Sequence, residues 1–321
     1  MPPTGLANRG RRPKSLNPTR WTIHPNFMIR KIYSVLRTRG PVGLWRAVMD
    51  ELFPAGRLAL KGGKALFRGK AGLEIGGPSP IFGRRGLLPV YGAAGRIDNC
   101  NFGPVTTWEG VIMEGDSFRF SPRKPPGRQF VAEATDLSAM TSGDYDFLLS
   151  SHMIEHTANP LKALAEWIRV VRPGGLFAIV VPHREGTFDH RRPVTPQSHM
   201  IDDFENDATE ADLTHLEEIL ALHDLSRDPG SDGTKAFEAR SRRNAENRCL
   251  HQHVFDTRSA VEMIEYAGLE VLFVQALAPH DIVILARKPS PGDTAPAAAL
   301  IGPLGLRWNS VFASDGVPSA S

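Results

Sequence analysis

Short apolar runs alternate with amphipathic helical segments from residue 71 onward, and this alternation limits the fold more than any other feature of the sequence. Strands joined through helices lie parallel, because a helical crossover returns the chain to the same end of the sheet. The pattern therefore predicts an α/β fold with a mostly parallel sheet that is covered on both faces. The first five predicted strands are, in chain order, AGLEIGG, RIDNCNF, QFVAEATDL, YDFLLSS and GLFAIVVP.

Two segments have the features of helices that pack on such a sheet. In the first, residues 160–171, apolar residues recur every three and four positions, Asn159 is a candidate N-cap, and RPGG ends the helix. The second, residues 257–267, is followed by the apolar runs LEVLFVQAL and HDIVILARK, which only the tetrapeptide APHD separates. Because so short a link cannot contain a crossover helix, the last two strands are predicted to be antiparallel.

The same pattern divides the chain into segments. Residues 1–25 are predicted to be a disordered basic terminus, and residues 26–69 a basic helical segment. Residues 70–288 form the predicted α/β domain. Within it, residues 183–256 are too many for a plain loop, and we interpret them as an insertion that builds a substrate site over the sheet. Residues 289–321 are predicted to be a flexible tail.

Charge and cysteine content narrow the classes of protein. Residues 1–70 contain 15 Lys and Arg but only Asp50 and Glu51, whereas the remainder contains 23 Lys and Arg against 33 Asp and Glu. Such a basic arm suits an anionic partner, such as the inner membrane surface or a phosphorylated substrate, or else packing on the acidic body. No apolar run approaches the roughly 20 residues of a membrane span. The two cysteines predict no disulfide framework, so a soluble cytoplasmic protein is expected.

Three motifs in a fixed order carry a resemblance to a known family. They are LEIGGPSP at residues 73–80, DYDFLLSSHMIEHTANPLKAL at residues 144–164 and RPGGLFAIVVP at residues 172–182. With its motifs in this order, the chain resembles the class I S-adenosylmethionine-dependent methyltransferases. Within this class it resembles the methyltransferase type 11-like family. The resemblance implies a Rossmann-like three-layer α/β/α sandwich, with a mostly parallel seven-stranded sheet that contains one antiparallel strand.

The resemblance also implies a site for the methionine part of the cofactor at the end of the first strand. There, Gly76 and Gly77 would let backbone amides approach the ligand, beside Glu74 and Ser79. Pro78-Ser79-Pro80 follows the glycines in place of the alternating glycines usual in the family. This departure also argues against the G-x-G-x-x-G motif of nicotinamide-dependent enzymes. A plain glycine turn is the structural alternative.

Further positions are implied contacts of the adenosine part and the methyl group. Asp98, in the second strand, would accept hydrogen bonds from both ribose hydroxyls. Asp136 would lie near the adenine amino group, and Leu137 would pack on the adenine ring. Ser151, at the end of the fourth strand, would border the methyl group. The alternatives are a turn residue for Asp98 and a helix cap for Asp136.

Candidate catalytic residues follow the fourth strand and occupy the insertion. His152 and Glu155 would lie in the loop that closes over the cofactor, where they would either touch the acceptor or only orient the loop. In the insertion, Asp189 beside His190 would suit an aspartate-oriented general base. The neighbouring arginines would suit a carboxylate or phosphate on the substrate.

The histidines of the insertion also raise the question of a metal. His251 and His253 are two residues apart, so they would face the same way in an extended segment. Together with Asp189 or His190 they could hold a divalent metal. Ordinary packing is the alternative for each of these histidines.

The reaction implied by the resemblance is methyl transfer from S-adenosylmethionine to a small molecule. We expect O-methylation of a sugar or other small hydroxylated substrate, which the arginines would suit if it is anionic or glycan-linked. N- or C-methylation of a small molecule and a non-catalytic cofactor-binding interaction protein are the alternatives. Nucleic acid is not an expected partner, because the body is acidic and lacks a strip of alternating aromatic and basic residues.

Overall fold

The computed structural model describes residues 63–228, 233–292 and 308–316, which all belong to one compact unit, Arg46–Ser321. The predicted disordered terminus, residues 1–25, and most of the predicted helical segment, residues 26–69, lie outside the described residues. The described end of that segment, Gly63–Phe67, is a 3-10 helix.

A large sheet forms the centre of the described fold. The strands are β1 (Ala71–Ile75), β2 (Arg96–Asn101), β3 (Val105–Thr106), β4 (Gly110–Val111), β5 (Gly115–Phe118), β6 (Gly127–Val131), β7 (Tyr145–Ser151), β8 (Val171–Pro182), β9 (Glu270–Leu277), β10 (Asp281–Arg287) and β11 (Trp308–Ser310). Nine of them form the sheet in the order β11-β9-β10-β8-β7-β1-β2-β6-β5, and β3 pairs with β4 in a separate hairpin.

The strand directions confirm the predicted fold class. The central strands β6, β2, β1, β7 and β8 run parallel, and β10 runs antiparallel to both of its neighbours, β8 and β9. The sheet has nine strands where seven were expected, because short strands extend it at both edges. One of them, β5, pairs antiparallel with β6, and the other, β11, pairs parallel with β9.

Two long amphipathic helices cover one face of the sheet. The described α-helices are α1 (Pro160–Val170), α2 (Gln197–Glu205), α3 (Leu216–Leu222), α4 (Thr234–Ser241), α5 (Asn244–Asn247) and α6 (Thr257–Tyr266). As predicted, the Asn159 side chain caps α1, and α6 begins with a capping box between Asp256 and Ser259. Both helices bury their apolar stripe, with Trp167 and Ile264 fully covered. None of the described helices is long and apolar enough to cross a bilayer.

The other face of the sheet is packed differently. The connection from β1 to β2 contains the 3-10 helix Pro80–Phe82 and no α-helix, because Pro78, Pro80, Gly83 and Gly86 interrupt any longer helical run. Aromatic side chains from these short elements, among them Phe67, Phe82 and Tyr91, pack on this face. The aromatic cluster on this face of the sheet therefore supports the bend that ends β1.

The insertion, residues 183–256, contains α2 to α5 and its own small apolar cluster of Leu216, Ile219, Phe237 and Leu250. The helix α3 of this insertion begins at Leu216, directly after His215. Thus the insertion is a folded unit and not a loop, and it packs over the carboxyl edge of the sheet through contacts described below.

Residues 308–316 fold onto the domain, which corrects the predicted flexible tail in this stretch. The Phe312 ring stacks on the ring of buried His183, with centroids 3.9 Å apart. The Asp315 carboxylate, whose side chain is fully buried, accepts hydrogen bonds from His183 Nε2 at 3.1 Å and from the Thr257 amide at 3.1 Å. Because the contacts of Asp315 are polar, the composition of the tail gave no indication of them.

Asp315→Asn is expected to lower the free energy of unfolding by about 2 kcal/mol at pH 7, because a buried charge-assisted hydrogen-bond network loses its acceptor. Burial opposes ionisation, but hydrogen bonds from His183, Ser310 and Thr257 lower the pKa of Asp315 to about 2. This stabilisation is therefore complete above the pKa of an unfolded aspartate, about 4, and is lost as the pH falls towards 2. Urea titration across this range measures it. Val311→Ala, at an exposed neighbour, should leave stability unchanged, and equal effects of both variants would contradict the prediction.

Candidate active site

The bend after β1 is held from within by Glu74. The Glu74 side chain is fully buried and accepts hydrogen bonds from the Tyr91 hydroxyl at 2.8 and 2.9 Å and from the Ser79 amide at 2.9 Å. Burial is the largest influence on this carboxyl and raises its pKa to about 8. Glu74 therefore organises the loop, and its place beside the methionine part of the cofactor stays a prediction.

Gly76 and Gly77 make the bend in a way that no other residue could. Gly76 has φ +81°, which favours glycine, and its amide donates to the Cys100 carbonyl at 2.9 Å. A Cβ at Gly77 would lie 2.2 Å from the Glu74 carboxyl carbon. The Gly77 amide donates to Asn99 Oδ1 at 3.0 Å, and Asn99 Nδ2 donates back to the Gly77 carbonyl at 3.1 Å. These contacts fix the tight glycine bend that close approach of a ligand requires.

Asp98 does not lie at the carboxyl edge, which corrects its expected contact with the ribose. It pairs in register with Leu73, three residues or about 10 Å before the end of β2. Its carboxylate accepts from the Arg128 amide at 2.9 Å and from the Tyr145 hydroxyl at 3.1 Å. A cavity of about 320 Å³ at the opposite, amino edge of the sheet is lined by these residues and by Arg96. The carboxyl end of β2 is instead occupied by Asn101.

Leu137 is buried in the main core, which corrects its expected place on the adenine ring. The Leu137 amide and carbonyl bond Glu166 and Arg169 of α1, so the residue anchors that helix. Asp136 is exposed and its Oδ1 accepts from the Ser138 amide at 3.1 Å in a local turn. No described helix begins there, so the alternative of a helix cap is wrong as well. Glu133 lies closer to the end of β6 and binds Arg248 of the insertion at 2.6 Å.

The end of β7 carries polar groups directly beside the glycine bend. Ser151 ends the strand, and its hydroxyl is buried without a hydrogen-bond partner among the described residues. His152 has φ +50°, and its Nε2 donates to Asp281 Oδ1 at 2.9 Å. The Met153 side chain reaches Gly76, since a Cβ there would lie 2.9 Å from Met153 Cγ. The two predicted parts of the site therefore adjoin at one edge of the sheet.

Glu155 forms a compact cluster with two histidines. One side-chain atom from each of Glu155, His156 and His251 lies within 4.8 Å of the other two. Glu155 is 1% exposed, and neither of its oxygens has a hydrogen-bond partner among the described residues. His156 Nδ1 donates to the Leu250 carbonyl at 2.9 Å, and His251 Nδ1 donates to Asp189 Oδ2 at 2.5 Å. Both rings, when neutral, therefore keep an acceptor lone pair on Nε2.

The charges in this cluster follow from its surroundings. Burial and the nearby His251 lower the pKa of His156 to about 4, so that ring is neutral at pH 7. Burial opposes the charges on Glu155 and His152, but their mutual attraction across 3.7 Å lowers the pKa of Glu155. The hydrogen bond to Asp281 and the nearby Glu155 carboxylate raise the pKa of His152 to about 10. The cluster thus contains the anionic carboxylate of Glu155 beside the neutral imidazole of His156. The cationic His152 lies next to the same carboxylate.

Asp189 orients His251 and not its sequence neighbour His190, which corrects the predicted dyad. Asp189 is buried, and Arg192 Nη1 donates to its Oδ1 at 3.0 Å. Burial opposes ionisation, but His251 and Arg192 lower the pKa of Asp189 to about 2. His190, which is partly exposed, bonds Asp224 Oδ2 at 2.9 Å. Chain adjacency misled the prediction, because successive side chains in an extended or turning segment point in different directions.

His251 and His253 do not share a metal site, which corrects the prediction that they would face the same way. His251 lies in the cluster with Glu155 and His156, whereas His253 lies beside His199 and His215. His251 lies beside the 3-10 helix Ile154–His156, and His253 lies beside the helix α2.

Several residues of the site were missed by sequence reasoning. They are Asn99 in β2 and Tyr91 in the turn before it, which hold the glycine bend. No spacing in the chain indicates these contacts. His156, which directly follows Glu155 in the motif after β7, completes the cluster with Glu155 and His251.

The sheet order, with antiparallel β10 between β8 and β9, and the glycine bend at the end of β1 agree with the resemblance to the class I S-adenosylmethionine-dependent methyltransferases. More particularly, residues 118–179 match a family described as a methyltransferase domain. This stretch contains β7, Ser151, Glu155 and α1. The predicted resemblance to the methyltransferases is therefore confirmed over this stretch.

A similar curated relative is the ubiquinone biosynthesis O-methyltransferase of Vibrio parahaemolyticus. The alignment is 31% identical over 101 residues, and the match covers 25% of this chain and 43% of the relative. The chain thus matches less than half of the length of that relative.

Solved structures with a similar outline include the complex of the Haloferax volcanii Trm112 methyltransferase activator with the putative methyltransferase, and a SAM-dependent methyltransferase from Aquifex aeolicus. The first has a TM-score of 0.40 at 12% identity and covers 75% of this chain and 94% of its own. The second has a TM-score of 0.36 at 13% identity and covers 80% of this chain and 98% of its own.

Proposed function

We propose that this chain transfers the methyl group of S-adenosylmethionine to a small molecule that binds between the carboxyl edge of the sheet and the insertion. The observation that supports this most directly is the meeting of two features at that edge. The glycine bend packs against Met153, two residues before Glu155 of the buried polar cluster that Glu155, His156 and His251 form. A donor in the bend would present its methyl group towards the cluster.

For the donor, Gly76, Gly77 and Ser79 would surround the methionine part, and the buried hydroxyl of Ser151 would gain a partner from it. These residues fit the cofactor, because the bend has no room for a side chain at Gly77 and the Ser151 hydroxyl has no partner of its own among the described residues. The sulfonium of the cofactor supplies the activated methyl group. The chain then needs chiefly to place an acceptor atom roughly 3 Å from that methyl, in line with the leaving sulfur.

For the acceptor, we propose a hydroxyl of a sugar or of another small hydroxylated molecule. Glu155 and the Nε2 atoms of His156 and His251 offer acceptors and no donor, so they suit a group that brings its own proton. His251, oriented by Asp189, would remove that proton as the methyl group is transferred. The O-methyltransferase name of the Vibrio parahaemolyticus relative agrees with this choice.

N- or C-methylation of a small molecule is the second candidate for the reaction, and a cofactor-binding interaction protein without activity is the third. An amine acceptor would need only a lone pair, which leaves the Asp189–His251 pair without a task. An interaction protein would need no convergent acceptors at the methyl position. We propose that the protein is cytoplasmic. Its basic segment, residues 1–70, lies mostly outside the described residues. We propose that this segment contacts an anionic or glycan-linked substrate or the inner surface of the membrane.

Calorimetry with S-adenosylmethionine and S-adenosylhomocysteine tests the donor, and transfer of labelled methyl to panels of hydroxyl, amine and carbon acceptors tests the acceptor. We expect one cofactor to bind per chain and label to enter hydroxyl acceptors only. Failure of both cofactor forms to bind would overturn the proposal. Binding without transfer to any panel would favour the interaction protein, and label in amines would favour the second candidate.

A further inference from the structure

Three histidines from distant parts of the insertion converge at a second place, away from Glu155. One side-chain nitrogen from each of His199, His215 and His253 lies within 4.8 Å of the other two. His199 belongs to α2, His215 directly precedes α3, and His253 lies in a bend after α5. Such convergence requires three independent chain segments to place imidazoles at one point.

The carboxylate of Asp203 lies close to two of the three histidines and is a possible fourth ligand. His199 Nε2 and His215 Nε2 are 2.9 Å apart. Asp203, one turn after His199 on the same face of α2, places its Oδ2 3.0 Å from His253 Nε2 and 3.5 Å from His199 Nε2. Tetrahedral zinc with bonds of about 2.0 to 2.1 Å holds its ligand atoms about 3.3 to 3.4 Å apart, which lies within this range.

The protons in the cluster leave lone pairs that face one another. The Thr157 carbonyl can only accept, so His253 Nδ1 donates to it, at 3.1 Å. In a neutral His253 ring, Nε2 then carries a lone pair, and it lies 3.0 Å from Asp203 Oδ2. The Nε2 atoms of His199 and His215 likewise share at most one proton between them. A cation at the centre of these four groups would use every one of these lone pairs.

The bond from His253 Nδ1 to Thr157 also has the form that metal-binding histidines need. A ligating imidazole usually donates its second nitrogen to a carbonyl or carboxylate, which fixes the orientation of the ring. Asp203 is only 8% exposed and His253 1%, so water has little access to two of the four groups. His199 and His215 are partly exposed and would give the ion a path of entry.

We propose that His199, Asp203, His215 and His253 bind one zinc ion, or a similar divalent transition-metal ion, as a closed structural site. Four protein ligands leave no open position, so the ion would support the fold and would not act on the substrate. The ion would fix the segment that contains His251, because His253 lies two residues further and its amide donates to the Glu155 carbonyl at 3.2 Å. The site therefore sets the position of the candidate base without touching it.

Metal content and cobalt substitution of the full chain, without a histidine tag, test this proposal and need no methyl acceptor. Mass spectrometry of metals should find one zinc per chain, and cobalt should give the intense visible bands of a tetrahedral site. The paired variant His199→Ala with His215→Ala should lose zinc affinity by about 100-fold or more. Chelation should lower the melting temperature of the wild type and not that of the variant.

His190→Ala is the matched control, since it removes a histidine of the same insertion that lies on Asp224, and it should keep full zinc affinity. A wild-type chain that binds neither zinc nor cobalt would overturn the proposal, even if the paired variant fails to fold. So would zinc binding that survives in the paired variant and is lost in His156→Ala, because the ion would then belong to the Glu155 cluster.

Discussion

Gly77→Ala is expected to weaken binding of S-adenosylmethionine by about 100-fold or more. The added Cβ would lie 2.2 Å from the Glu74 carboxyl carbon and 2.5 and 2.6 Å from its oxygens. Glu74 cannot move aside cheaply, because it is fully buried and its hydrogen bonds to Tyr91 and Ser79 hold the bend. Loss of about two such bonds corresponds to a change of this size in affinity. Calorimetry with the cofactor and its demethylated product measures it.

The matched control is Gly92→Ala, in the same connection between β1 and β2, where an added Cβ meets nothing within 4 Å. We expect wild-type affinity for this variant. Circular dichroism of Gly77→Ala should show a folded chain, so that the loss can be assigned to the bend. Wild-type affinity in a folded Gly77→Ala variant would contradict the place of the cofactor.

His251→Ala is expected to lower kcat by about 100-fold to 10,000-fold while cofactor affinity stays within error of the wild type. This range is that of a lost general base. Asp189→Asn should lower kcat as well, because an amide in this place no longer holds His251 Nδ1 as a hydrogen-bond donor to a carboxylate. Steady-state rates with a hydroxyl acceptor, together with calorimetry of each variant, separate the two effects.

His190→Ala serves as the comparison for this prediction too. The sequence favoured His190 as the base, whereas the structure places it on Asp224, so we expect a change in kcat of less than about 3-fold. A larger loss of rate in His190→Ala than in His251→Ala would refute the assignment. A parallel loss of rate and cofactor affinity in His251→Ala would make that residue structural.

The fold was predictable because it depends on signals that are local in the chain. Asn159 and Asp256 cap their helices as expected, and the short link before Asp281 makes the last hairpin antiparallel. The edge strands β5 and β11 could not be anticipated, since GDSF and WNS carry no apolar alternation. The hydrogen bond between His183 and Asp315 could not be predicted either, because a polar contact produces no periodic pattern in the sequence.

The candidate site was only partly predictable. Glu74, Gly76 and Gly77 lie where expected, because a strand followed by glycines fixes their position locally. Asp98 was misplaced because a few residues of error in where a strand ends amount to about 10 Å along it. Asp189 was paired with the wrong histidine, because its partner is 62 residues away in the chain.

The position of β10 between β8 and β9 also determines when this sheet can be completed. Residues 281–287 hydrogen-bond to both neighbours and come last among the central strands in the order of synthesis. Until they emerge from the ribosome, β8 exposes an unpaired edge of apolar strand, the kind of surface that invites aggregation. Because β10 begins only three residues after β9 ends, β9 is protected almost as soon as it is made, and β8 is protected in the same step.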